Sequence, residues 1–180
     1  MRADTGWLET WREDLREAVA SAVLDFEDRY GYPPGGNAVS RPDMTAAARL
    51  AAVHPAIPAD LVDLYAKVGA VDLPDIGNGF FLHTASDVAD AHESRDLWHI
   101  RGRHDADVVV FASDGGGTQY GLATPEGSPV YRLPPDLVLG GIYTSENPRF
   151  DVAAPDLSTF LDRILQAVKT FAASSTPPSL

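Results

Sequence analysis

The chain has 180 residues, with 14 Lys and Arg against 26 Asp and Glu, a formal net charge of −12. A chain of this length builds one domain around one core and buries roughly 70% of its unfolded surface without staples. The acidic balance disfavours nucleic acid and anionic membrane, which need a positive footprint, and favours a basic partner or simple solubility. Cys is absent, which excludes a disulfide framework, a thiolate metal site and a thiol nucleophile. No apolar run reaches the roughly 18 residues that span a bilayer. Met1-Arg2-Ala3-Asp4 lacks an apolar signal core, so the expected compartment is the cytoplasm.

The first predicted element is a helix. Trp7, Leu8, Trp11, Leu15, Val19, Ala22, Val23, Phe26 and Tyr30 recur at three- and four-residue spacing as one apolar stripe. Gly31 and the run Tyr32-Pro33-Pro34-Gly35-Gly36 end it, because proline clashes within a helix and glycine accepts left-handed geometry. The Ala-rich stretch from Asp43 to Val53 predicts a second helix, ended before His54-Pro55. Pro58 suits the first position of a third, which runs to Val68 and closes at Gly69. From Asp72 to Gly79 the density of Asp, Pro and Gly predicts a loop.

The period then changes. Phe80-Phe81-Leu82 reads as a strand, and Ser86 as the cap of a short helix through Glu93. Val108-Val109-Val110-Phe111-Ala112 predicts a strand buried on both faces. Asp114, Gly115, Gly116 and Gly117 form a structural turn into a strand from Thr118 to Ala123, and a second turn leads to Val130-Tyr131-Arg132-Leu133. Three consecutive strands with tight connections predict an antiparallel meander. A last helix runs from the capping Asp156 to Phe171 with a continuous apolar stripe. The expected fold is therefore α+β: an antiparallel β-meander sheet flanked by N-terminal helices and a C-terminal helix. Residues 1–36, the N-terminal helix and Pro/Gly linker, are expected to pack on the same domain as residues 37–173, with 174–180 a disordered tail.

The search for chemistry excludes more than it finds. A phosphate loop needs a helix N-terminus and usually a Lys after its glycines, whereas Gly115-Gly116-Gly117 runs into strand-like Gln119-Tyr120-Gly121-Leu122. His54, His83, His92, His99 and His104 include no His-Glu-x-x-His pair, and Arg101 and Arg103 lie among the last of them. They read as surface-loop histidines, with no metal site assigned. No Gly-x-Ser-x-Gly elbow occurs, and no carboxylate pair defines an acid–base site. No catalytic residue and no cofactor are assigned. Trp98, in Asp96-Leu97-Trp98-His99-Ile100, either packs on the sheet or serves as an exposed interface anchor.

The ordered pieces Ile57-Pro58-Ala59-Asp60-Leu61, Val110-Phe111-Ala112-Ser113-Asp114-Gly115-Gly116-Gly117, Tyr120-Gly121-Leu122, Pro129-Val130-Tyr131 and Leu157-Ser158-Thr159-Phe160-Leu161 lie between Ile57 and Phe171. In order and spacing this segment resembles the SUKH superfamily, which includes bacterial immunity proteins and the fungal Smi/Knr regulators of cell-wall synthesis. It departs from the family at Val68-Gly69-Ala70, where members commonly carry Asn-Gly, and in its long N-terminal helix. The resemblance implies a non-catalytic binding protein. In its bacterial form that is an antitoxin that neutralises a toxin, often a nuclease, inside the producing cell; the alternative is an intracellular regulatory or scaffold module of the Smi/Knr type.

A nuclease domain presents a basic face to its phosphates, and an acidic inhibitor finds such a face quickly through electrostatic steering. The expected partner is thus a basic protein domain, and the candidate contact residues are Asp72, Asp75, Asp87, Asp90, Asp96, Trp98, Asp105 and Asp107. Of the 26 acidic residues 19 are Asp, many in loops of the middle region, where turn geometry also favours Asp.

Overall fold

The computed structural model describes residues 5–53 and 57–173. His54 and the tail at 174–180 lie outside the described residues. The N-terminal stripe forms helix α1 (Thr5–Val23), which buries Leu8, Trp11, Leu15, Val19 and Ala22. It packs on helix α6 (Leu157–Ala173), whose own stripe runs from Leu157 through Phe160 and Ile164 to Phe171. The Trp11 indole N–H donates to the Leu161 carbonyl at 2.9 Å. Arg12 donates to the Lys67 carbonyl at 2.8 Å. These bonds satisfy groups that burial would otherwise leave without partners. The stripe expected as one helix is interrupted by a turn at Leu24-Asp25 and continues as α2 (Phe26–Tyr30), ended by left-handed Gly31.

The Pro/Gly linker is pinned to the domain. Asp75 accepts from the Gly35 amide and the Asn37 side-chain amide, each at 2.6 Å, and strand β1 (Ala38–Val39) follows. Asp43 caps helix α3 (Met44–Val53) by accepting from the Thr45 and Ala46 amides. Helix α4 (Ala59–Lys67) starts one residue later than expected, with Pro58 as its extended N-cap and Val68 as its C-cap. Beyond it, a Cβ on Gly69 would collide with the Arg41 carbonyl oxygen, so the chains pass there only because glycine has none.

Two further local expectations are corrected. The stretch expected as a loop from Asp72 begins inside strand β2 (Val71–Leu73), with Val71 and Leu73 buried and Asp72 exposed. Three residues carry too little periodicity to read, and pairing with β1 and with β3 (Phe80–Leu82) holds them. Helix α5 (Ala85–Ser94) is capped by Thr84, not Ser86: Thr84 Oγ1 accepts from the Asp87 amide at 3.0 Å.

The hub of the sheet is β5 (Ala106–Asp114). Along one edge it pairs antiparallel with β3 at Ala112–Asp114 and with β4 (His99–Arg101) at Ala106 and Asp107. Along the other it pairs with β6 (Gln119–Ala123), which leads to β7 (Val130–Leu133) and then β10 (Asp151–Ala154). Strand β4 pairs in parallel with β9 (Ile142–Thr144), and β9 pairs antiparallel with β8 (Val138–Leu139). Consecutive β5, β6 and β7 do pair antiparallel, but within a mixed, branched sheet of ten strands among the described residues. The architecture is α+β, and its sheet is larger than the expected meander.

Two cores lie on opposite faces of that sheet. Val109 and Phe111 of β5 face the helices and join the large core, with Leu61, Leu64, Phe80 and Phe160 among its members. Val108 faces the other way, into a smaller core with Leu97, Ile100, Tyr131, Tyr143 and Phe150. The continuous apolar run of β5 reflects burial on both sides.

Candidate functional site

Strands β4, β9 and β8, with the first residues of β5, form one arm of the branched sheet. Register assigns its two faces. Ala106, Ile100, Tyr143 and Val138 stand opposite one another across the four strands and close the smaller core. The alternate row, Asp107, His99, Ile142 and Leu139, therefore looks outward on the side of the sheet that carries the helices. Leu139 is 66% exposed. His99 is held between two carboxylates, with Nδ1 2.8 Å from Asp107 Oδ1 and Nε2 3.6 Å from Asp105 Oδ1.

Trp98 stands at the root of this face, half-buried. Its amide donates to the Gly141 carbonyl at 3.0 Å and its carbonyl accepts from the Val108 amide at 2.8 Å. The Arg95 guanidinium lies 5.0 Å from the ring centre, a cation–π contact. A Cβ on Gly141 would collide with the indole, so glycine there is what lets the ring approach the turn this closely. Beside it opens a cavity of about 260 Å³, walled by Trp98, His92, Glu93 and Asp107. Trp98 thus packs in part against the Gly140-Gly141 turn and in part lines the recess.

The other candidate residues divide into two groups. Asp96 is exposed beside Trp98. Asp90 shares Arg49 with Glu93, at 2.5 and 2.6 Å, and ties α5 to α3. Asp72, by contrast, lies on the opposite face of the sheet, in register with Phe81, Ser113 and Gln119. Asp75 is taken up by the linker, and Asp87 by the α5 cap, where it accepts from the Thr84 hydroxyl at 2.7 Å. The eight residues thus do not make one surface. The arm gathers Asp96, Trp98, Asp105 and Asp107, with Asp90 at its margin.

The glycine run forms a pinned turn. Asp114 Oδ1 accepts from the Gly116 and Thr118 amides, each at 2.9 Å. The Gly115 amide donates to the Asn78 carbonyl, which a Cβ on Gly115 would strike. On the same face as Asp72, His83 Nε2 lies 2.9 Å from Ser113 Oγ. Burial lowers the His83 pKa, partly offset by Asp87 and Asp72. Among the described residues no carboxylate hydrogen-bonds that ring, so the orienting contact of a hydrolytic triad is missing. Nor does any group of three His, Asp or Glu among the described residues have metal-holding geometry.

Ile142 and Leu139 were not picked out by sequence, although a signal exists. Val138-Leu139-Gly140-Gly141-Ile142-Tyr143 is a pair of apolar dipeptides around Gly-Gly, and both glycines have positive φ, the signature of a two-residue hairpin. No family model, no curated protein and no solved structure matches this chain.

Proposed function

We propose that this chain is a non-catalytic binding protein of the SUKH type. It acts as an immunity protein in the cytoplasm of the producing cell, neutralising a basic toxin domain such as a nuclease by direct contact. The observation that carries this reading is the outward row of the arm, where Ile142 and Leu139 lie beside Trp98 and are flanked by Asp96, Asp105 and Asp107. Protein interfaces combine an aromatic or aliphatic anchor with a polar rim that excludes water. A net charge of −12 steers such a surface toward a cationic partner and raises the association rate.

The test is binding to the product of the neighbouring gene, measured by calorimetry for the wild-type chain and for Trp98→Ala and Leu139→Asp. Tight binding is expected, weakened by about 30-fold or more in each variant, the loss typical of a hot-spot residue. Added salt should slow association and leave dissociation nearly unchanged. A neighbouring product that does not bind removes the immunity reading and favours the regulatory module. Unchanged affinity in both variants removes the arm as the contact surface.

A further inference from the structure

On the far side of β5 from the arm, the β7–β10 edge and α6 diverge around a cavity of about 380 Å³. Its floor is set by register: Tyr120 of β6, Arg132 of β7 and Asp151 of β10 stand opposite one another. Helix α6 supplies Arg163 above it, and Phe160 and Ile164 make the apolar wall. In a chain with few cations, two guanidinium groups converge on one recess.

Among the described residues, only one carboxylate stands near the pair. Arg132 Nη1 is 3.9 Å from the Asp151 carboxylate, too far for a hydrogen bond. Arg132 Nε is buried and has no hydrogen-bond acceptor among the described residues. Arg163 is exposed and spends one donor on the Ala153 carbonyl. A charged donor buried without an acceptor is costly, and a ligand that supplies one recovers that cost.

We propose that this recess binds a small organic monocarboxylate with an apolar body. Two guanidinium groups against one carboxylate leave a single positive charge, which a monoanion balances and a phosphate dianion exceeds. The carboxylate fits the planar fork of Arg132, which a small rotation of the side chain turns toward the cavity. The hydrocarbon or ring portion lies against Phe160, Ile164 and Val152. The volume falls within the roughly 300–1,000 Å³ of small-molecule sites. This site shares no residue with the arm, so either can fail without the other.

The experiment titrates the full chain with sodium benzoate, followed by proton–nitrogen correlation spectra that include the arginine Nε–H groups. Benzyl alcohol and inorganic phosphate serve as comparison ligands. Saturable shifts are expected at the Arg132 Nε–H and the Tyr120 amide. Arg132→Gln should weaken benzoate by about tenfold or more, as loss of a charge-assisted pair predicts. Arg132→Lys, which keeps the charge but loses the fork, should also bind more weakly. If Arg132→Gln does not fold, Arg163→Gln decides through the same spectra, since its side chain is exposed. No saturable shift with benzoate, equal binding of benzyl alcohol, tighter binding of phosphate, or undiminished binding in the folded variants would each overturn the proposal.

Discussion

The two cores differ in what they leave uncovered. The large core fills the space between the helices and the β1–β2–β3–β5–β6–β7–β10 part of the sheet, and leaves Asp72, Phe81, Ser113 and Gln119 on the opposite face. The small core fills the other side of the sheet beneath β4, β9 and β8, and leaves Asp107, His99, Ile142 and Leu139 facing out. The bare surfaces are therefore diagonal to one another across β5. One is mixed, with Phe81 among polar side chains, and gains its order from strands packed on helices. The other turns apolar toward its outer end, at Ile142 and Leu139, and stands on short strands over the smaller core. The second kind of surface is the one a partner can complete, because apolar groups already lie in the open.

The sharpest test of this division is core truncation. Phe111→Ala, in the middle of the helix-covered core and edge-on to Phe160, should cost about 3–5 kcal/mol in urea unfolding. Because β5 is shared, the loss should appear equally in probes of the arm and of the helices. Ile100→Ala in the small core should cost less, about 2–3 kcal/mol, the low end for such a truncation. Its effect should concentrate in faster hydrogen exchange of β4 and β9 while β6 stays protected. Equal acceleration throughout would mean that the arm is no separate unit.

Asp156 accepts from the Thr159 amide at 2.7 Å at the start of α6, and that backbone bond is the main cause of its lowered pKa. Asp156→Ala should lose about 1 kcal/mol in urea unfolding. The folded pKa lies below the unfolded one, so the charged cap contributes fully above about pH 4 and is lost as pH falls through the folded value. Asp156→Asn should retain part of the cap and lose this pH dependence.

A smaller effect is expected at His83. Its pKa is lowered chiefly by burial, so the unfolded chain takes up a proton first. Stability is then fully present above about pH 6.5 and declines as pH falls from there through the depressed folded value. Unfolding curves of His83→Gln should lack that decline. The smallest change in stability belongs to Leu139→Asp, within about 0.5 kcal/mol, because Leu139 stands on the open row. A large loss there would make the row structural and blunt the contrast between the two faces.

How much of this could be read in advance depends on element length. Trp11, Leu15, Val19 and Ala22 on α1, and Phe160, Ile164 and Val168 on α6, repeat often enough to declare both the helix and its buried face. Val108 to Ala112 declared a strand buried on both sides, and the Pro58 and Asp156 boundaries followed from backbone chemistry. Strands β8 and β9 have two and three residues, below the length at which alternation means anything. Asp72 looked like a turn residue because its neighbours Pro74, Asp75 and Gly77 are. Among the candidate contact residues, Trp98 was visible as an aromatic among charges, whereas the role of Asp75 as a clamp on the linker depended on Gly35 and Asn37, far away in sequence.

By itself the sequence determined the helical stripes, the central β5–β6–β7 pairing, the glycine turn after Asp114 and the acidic charge. These depend on neighbours within a few residues, where periodicity, proline and glycine act directly. Only the tertiary structure decided that the acidic residues split between opposite faces, that Ile142 and Leu139 lie in line with His99, and that Arg132 and Arg163 converge on one recess. Those arrangements follow from strand register and helix placement, which are set by the packing of the whole core and not by any local run of residues.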